Sequence, residues 1–244
     1  MDERDPDSIP PTNWRRTAEA LSLGARFWTG FGHLDARGPI DGPPALVIPG
    51  FIASDRTTME LRRALAEAGF RVHPWRHGWN LGARADTIER LCRALDWCGE
   101  DDDGEDRRPV LVVGWSLGGV FARELARTVP SRVRAVATLG APFSGDPRLN
   151  NVWKLYERIA GHSVDAPPIS RICDKPPVPC LALWSRRDGI VAVRAARGLA
   201  EESDHAVELN CGHMAFGVSR RATRVAVREI VRFVGDYPLP SRDG

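Results

Sequence analysis

The residues Gly114-Trp-Ser-Leu-Gly-Gly119 carry the strongest chemical signal in this chain. Ahead of them run Val110-Leu-Val-Val113, apolar and mostly β-branched, as in a buried parallel strand. Behind them an amphipathic run, 121–129, has the spacing of a helix. A serine on a sharp turn between strand and helix stands above the sheet with its hydroxyl exposed. Gly114 and Gly118 are small where strand and helix crowd that turn, and Gly119 lets the helix pack close. Such a hydroxyl is a poor nucleophile until a base takes its proton. Ser116 therefore needs a base, an acid to orient the base, and donors for the charge that develops on an acyl oxygen.

Those partners belong at the carboxyl edge of the sheet, where Ser116 stands. His213, in Asn210-Cys-Gly-His-Met214, follows the last apolar strand run and is the best-placed base. His205 precedes that strand, His33 lies upstream of the sheet, His162 falls in an irregular segment, and His73 is inside a strand. His77 is at the correct edge, in a loop with Trp79 and Asn80. These three are expected to line the pocket, with plain loop packing an equal alternative. The strand-then-loop pattern excludes a His73–His77 metal pair on a helix. For the acid, Asp188 follows the strand run Leu181-Ala-Leu-Trp184, and Ile190-Val191 suggests that its loop turns back into the protein. Asp146, after the preceding strand, is the alternative. The order Ser, Asp, His matches this strand–turn–helix serine arrangement. Leu117, opening the elbow helix, and Phe51, after Pro49-Gly50, are the expected N–H donors to an oxyanion.

The elements that must position these groups alternate. Strands are predicted over 45–48, 70–75, 110–115, 133–139, 178–184 and 206–209, with helices between them. Thr57-x-x-Glu60 reads as a capping box. A helix around 193–202 and a last helix near 223–233 close the pattern. Arg220, Arg224, Arg228 and Arg232 form a solvated basic stripe on that last helix. This is one α/β domain over 13–244, with a mostly parallel sheet of about six strands and helices on both faces. The stretch 144–178 is an insertion, holding one helix with Val152, Leu155, Tyr156 and Ile159 on a face. Residues 1–12 are charged and Pro-containing and are expected to be disordered. Trp14, Ala18, Leu21, Ala25 and Trp28 form one stripe of a helix over 14–28. That stripe packs on the domain body, or less favourably touches a lipid surface, since its basic face is thin.

Bulk properties bound the function. An apolar share of 43% and a charged share of 27% fit an ordinary globular domain, and a net charge of +2 gives no footprint for nucleic acid. Five cysteines without a CxxC pair indicate neither a disulfide framework nor a zinc site. The acidic start lacks a secretory apolar core, so the default location is cytoplasmic. Arginine almost replaces lysine, as in GC-rich bacterial coding; Lys154 and Lys175 are the only lysines. Nothing in the sequence asks for a metal or a cofactor, and the oligomeric state is not written in it.

Gly-Trp-Ser-Leu-Gly-Gly, Ser185-Arg-Arg-Asp-Gly-Ile-Val191 and Gly212-His-Met214 together resemble the α/β-hydrolase superfamily over residues 45–234. Pro49-Gly-Phe-Ile-Ala-Ser-Asp55, His77-Gly-Trp-Asn-Leu-Gly82 and Leu139-Gly-Ala-Pro-Phe-Ser-Gly145 make it look like small bacterial lipase-like esterases. The resemblance implies an acyl-enzyme mechanism with Ser116 as nucleophile, His213 as base and Asp188 as acid, and with Phe51 and Leu117 as oxyanion donors. It implies a small-molecule ester or acyl substrate and no cofactor. Thioester hydrolysis or acyl transfer by the same triad is the alternative, then a non-catalytic binding protein. There is little room before Ala45 for the two additional strands many members carry, so these edge strands should be missing. The short insertion predicts an abbreviated cap and an open site. Trp79, Asn80, Trp115, Phe143 and Trp153 are the candidate substrate-binding residues, each equally readable as ordinary packing.

Overall fold

A computed structural model describes residues 6–11, 38–39, 41–98 and 108–238. The stripe predicted over 14–28 lies outside the described residues, as does His33. The strands are β1 (Pro44–Ile48), β2 (Arg71–Pro74), β3 (Val110–Trp115), β4 (Val133–Leu139), β5 (Cys180–Trp184) and β6 (His205–Glu208). They form one sheet in the order β2-β1-β3-β4-β5-β6, every pairing parallel. All six match predicted runs to within about two residues, the ordinary uncertainty of an element's ends.

Strand alternation divides the core into two layers. Ala45, Val47, Leu111 and Val113 face helices α1 (Met59–Glu67) and α7 (Arg220–Asp236), meeting Leu61, Leu65, Ile230 and Phe233. Leu46, Ile48, Val110 and Val112 face the other way, toward α2 (Thr87–Cys98) and α3 (Leu117–Thr128), meeting Leu91, Leu95, Phe121 and Leu125. β1 and β3 are buried along their whole length, so every side chain in them contributes on one face or the other. Each large apolar side chain so buried is worth about 1.5–3 kcal/mol. The result holds the carboxyl ends of β1, β3, β4, β5 and β6 along one edge, where their following loops converge.

Several local expectations are corrected. The N-cap position of α1 is Thr58, whose side chain makes no cap bond, and the Thr57–Glu60 box does not form. The Thr57 hydroxyl closes back on Ser54, donating to its carbonyl at 2.6 Å, and Glu60 pairs with Arg63 at 2.6 Å. The helix predicted around 193–202 is broken at Gly198 (φ 75°) into α5 (Val193–Arg197) and a 3-10 turn, Ala200–Glu202. A short helix that the sequence pattern does not announce, α6 (Ala215–Val218), follows His213. In the insertion helix α4 (Trp153–Ala160), the predicted apolar face splits: Leu155 and Ile159 are 44% and 39% exposed. Pro6–Ser8 forms a 3-10 turn, and the Asp7 carboxylate reaches Arg186 (3.3 Å) and Arg197 (3.0 Å), partners that composition does not reveal. No described helix is long and apolar enough to cross a membrane.

Candidate active site

The turn between β3 and α3 bends through Ser116, whose backbone is left-handed at φ 54°, ψ −125°. A non-glycine residue held there costs about 1–3 kcal/mol and persists only when its surroundings enforce it. Here they do. The Ser116 N–H donates to the Leu139 carbonyl at 2.8 Å, and its own carbonyl accepts from Gly119 N–H at 2.9 Å. A Cβ at Gly114 would lie 2.3 Å from the Gly118 carbonyl oxygen, and one at Gly118 2.3 Å from that of Ile48. A Cβ at Gly119 would meet the Ala141 side chain at 2.4 Å. The three glycines thus let strand, turn and helix close on one another.

His213 reaches Ser116 from the loop after β6. Its Nε2 is 3.0 Å from Ser116 Oγ, and its Nδ1 is 2.7 Å from Asp188 Oδ2. The other carboxylate oxygen, Asp188 Oδ1, accepts the N–H groups of Ile190 and Val191, both at 2.8 Å. The loop of Asp188 does turn back into the protein, and both Asp188 and His213 are buried. A carboxylate is acceptor-only, so Nδ1 carries the proton that is donated to it. Nε2 is left as an acceptor for the serine hydroxyl. Gly140 (φ 55°) makes room for the pair: a Cβ there would come within 3.0 Å of Asp188 Oδ2 and 3.2 Å of His213 Nδ1.

The competing residues are engaged elsewhere. Asp146 Oδ1 accepts from the Arg148 N–H at 2.7 Å. His77 Nε2 lies 3.1 Å from the Arg90 carbonyl, and burial holds its imidazole below the usual range. His205 packs against Phe233 and Tyr237. His162 sits between Tyr156 and the Ala83 carbonyl, and His73 is buried within β2.

The loop after β1 passes beside Ser116. A Cβ on Gly50 would touch Ser116 Cβ at 3.0 Å, so glycine permits the approach. Phe51 follows, then Ile52 in the left-handed region at φ 51°. Among the described residues, the N–H groups of Phe51 and Leu117 have no backbone carbonyl partner. Leu117 opens α3, where first-turn N–H groups lack intrahelical acceptors and the helix dipole favours negative charge. Next to them opens a cavity with Ser116 on its wall. Phe51, Leu117, Val120, Phe121, Trp153 and Tyr156 give it an apolar surface, and Pro147, Val164, Pro167 and Ile169 of the insertion close one side.

Phe51, Leu117 and Trp153, all among the candidate residues, line this cavity. Trp79, Asn80, Trp115 and Phe143 do not line this cavity. Trp79 is half-exposed on a separate groove with Trp75 and His77. Trp115 points to the α1/α7 side of the sheet, beneath the imidazole, and its Nε1 donates to the His213 carbonyl at 3.2 Å. Phe143 is buried under the Arg123 guanidinium, 4.1 Å from ring centroid to Cζ. Asn80 is buried and bonded to the backbone around Gly50. The residue missing from the candidates is Tyr156. Its ring is 5.3 Å from that of Phe51, its hydroxyl accepts the Ala83 N–H at 3.2 Å, and burial pushes its phenol up. Its place on the apolar face of α4 was the available signal.

A family model described as "alpha/beta hydrolase fold" matches residues 43–163. This chain belongs to the α/β-hydrolase superfamily. Solved structures similar to this α/β-hydrolase include a bacterial membrane phospholipase A, described as a virulence factor. It is 18% identical, with 91% of this chain and 93% of that one covered, TM-score 0.60. The monoacylglycerol lipase of Paleococcus ferrophilus is 15% identical, with 80% and 96% covered, TM-score 0.54. A thioesterase domain from the curacin biosynthetic pathway is 14% identical, with 78% and 92% covered, TM-score 0.53. At these identities the likeness is one of fold. No curated protein matches the sequence of this hydrolase-fold chain.

Proposed function

We propose that this protein is a serine hydrolase that cleaves carboxylic esters through an acyl-enzyme. The observation that carries this reading is the unbroken relay Ser116 Oγ–His213 Nε2–Nδ1–Asp188, at 3.0 and 2.7 Å, opening onto an apolar cavity. In the first half-reaction, Ser116 Oγ bonds to the ester carbonyl carbon as its proton passes to His213 Nε2. The carbonyl oxygen takes the negative charge toward the N–H groups of Phe51 and Leu117, each such donor being worth about 10²–10³ in rate. The tetrahedral intermediate collapses, the bond from carbon to the leaving oxygen breaks, and His213 returns its proton to the leaving alkoxide. Water then repeats the sequence on the acyl-serine, with His213 again as base, and the acid is released. Asp188 stays ionised throughout and stabilises the imidazolium. Thioesters fit the same steps, with a thiolate as leaving group.

A fluorophosphonate probe should label the wild-type chain and leave Ser116→Ala unlabelled. Absence of labelling on the folded wild type would sink the hydrolase reading in favour of a binding role. p-Nitrophenyl esters of rising chain length, beside acyl-thioesters of matched chains, separate the two leaving groups. A strong thioester preference would replace ester cleavage as the primary activity.

A further inference from the structure

Beyond Trp153 the apolar cavity is continued by a second depression. A groove shares Asn150 and Trp153 with the cavity that holds Ser116, and its character is different. Three cationic side chains line it: Arg148, Lys154 and Arg158. Arg148 and Lys154 both stand against the Trp153 ring, at 5.5 and 5.3 Å from its centroid, so the change from apolar to basic happens across one side chain. Arg158 lies one turn of α4 beyond Lys154.

The charges in this groove are not all balanced. Arg148 is paired with Asp165 and lies 3.7 Å from Asp146. The nearby Glu157 accepts from Ser163 Oγ and the Val164 N–H, both within the insertion. Among the described residues, Lys154 and Arg158 are in no ion pair and make no side-chain hydrogen bond. Two uncompensated cations on exposed stems, next to a satisfied third, match the charge of a phosphate monoester dianion.

We propose that this groove is an anion subsite for the far end of the substrate: one arm lies in the apolar cavity and, past Trp153, ends in a phosphate group. The proposal builds on the hydrolase reading of Ser116, but its binding consequence stands without it. The chemistry is shared by a phosphatidate-type ester and by an acyl group on a thiol carrier that bears a phosphate monoester.

Calorimetry on the full chain provides the test. n-Octyl phosphate should bind about tenfold more tightly than neutral n-octyl glucoside at low salt, the scale of two solvent-exposed ion contacts. High salt should erase the difference, because exposed charges are screened. The double variant Lys154→Ala/Arg158→Ala should lose the preference and keep its glucoside affinity and its melting temperature, since both side chains are exposed. Equal binding of the two octyl compounds by the wild type, or an undiminished phosphate preference in the double variant, overturns the subsite. Octanoyl-coenzyme A, an octanoyl lysophosphatidate and neutral mono-octanoylglycerol then identify the source, as the phosphorylated donor with the lower KM. If the fluorophosphonate probe leaves Ser116 unlabelled while the octyl phosphate preference holds, the hydrolase reading fails and the anion subsite stands.

Discussion

Asn80 Nδ2 donates to the Pro49 carbonyl at 2.8 Å, tying a side chain from the loop after β2 to the residue before Gly50. The same asparagine makes two more bonds to the loop after β1 and one within its own loop. Its backbone carbonyl accepts from Ile52 N–H at 2.8 Å, its N–H donates to the Ala53 carbonyl at 2.8 Å, and Oδ1 accepts from Gly82 N–H at 3.2 Å. The left-handed Ile52 is thereby fixed, and with it the direction of the Phe51 N–H. Asn80 is a positioning residue for the proposed oxyanion site. Asn80→Ala should lower kcat by about 10–100-fold, a sizeable part of the loss of one oxyanion donor, with little change in KM. Steady-state ester kinetics on variants with unchanged circular dichroism measure this. An unaltered kcat would show that Phe51 is held by other means.

Gly118 and Gly235 should respond oppositely to alanine. At Gly118 the new Cβ would lie 2.3 Å from one backbone carbonyl oxygen and 2.7 Å from another, neither of which can yield without moving β1. Gly118→Ala is expected to cost about 3 kcal/mol or more and to lose labelling at Ser116. Gly235, in α7, has open space around it, and alanine there should stabilise by up to about 1 kcal/mol through helix propensity. Urea midpoints of the two variants decide the matter, and equal shifts would contradict it.

Arg123 is the only arginine among the largest fully buried side chains of the described residues. Its Nη2 donates to the carbonyls of Cys173 (2.8 Å), Asp174 (2.9 Å) and Glu202 (3.0 Å), which fastens the end of the insertion to the elbow helix. Burial lowers its guanidinium pKa; the three carbonyls hold Nη2 and the Phe143 face packs against the group, while the buried Nε has no partner among the described residues. Arg123→Met should cost about 2–4 kcal/mol, because carbonyl groups lose a charged donor while the volume stays similar. Chemical denaturation reads the cost. A loss below about 1 kcal/mol would mean that the carbonyls find other donors.

Asp55 gives a pH signature. Its carboxylate accepts the N–H groups of Trp75 (3.0 Å) and Arg76 (3.1 Å), but burial raises its pKa above the usual carboxylate range. A carboxyl with a raised folded-state pKa binds its proton more tightly when folded. Its contribution is therefore favourable at low pH and is lost as pH rises through the window from about 4 to the higher folded-state value. Relative to Asp55→Asn, the wild type should lose stability across that window and run parallel to the variant above it. Unfolding free energies measured at intervals from pH 4 to 8 test this; a difference that grows in the wild type's favour would refute the sign.

Much of the site was legible because it is written locally. Gly114, Gly118 and Gly119 flag a turn too tight for side chains, and β-branched runs flag buried parallel strands. In a parallel sheet, strand order in sequence fixes which loops share an edge. That rule brought His213 and Asp188 to the edge of Ser116 and set aside His205, which precedes its strand. What remained hidden depends on directions across the chain. The burial of an aromatic does not say what it packs against, so Trp115 was indistinguishable from a cavity-lining residue until the two core layers were separated, and Phe143 until Arg123 was placed over its ring. Asn80 looked like a pocket residue because nothing in its neighbourhood records a carbonyl thirty-one positions earlier. The side chains of α4 divide between cavity and solvent only once the insertion is folded over Phe51. The sequence alone determined the chemistry available and the edge on which it gathers. The tertiary structure decided which groups touch, because hydrogen-bond partners and packing faces are set by distances in space rather than along the chain.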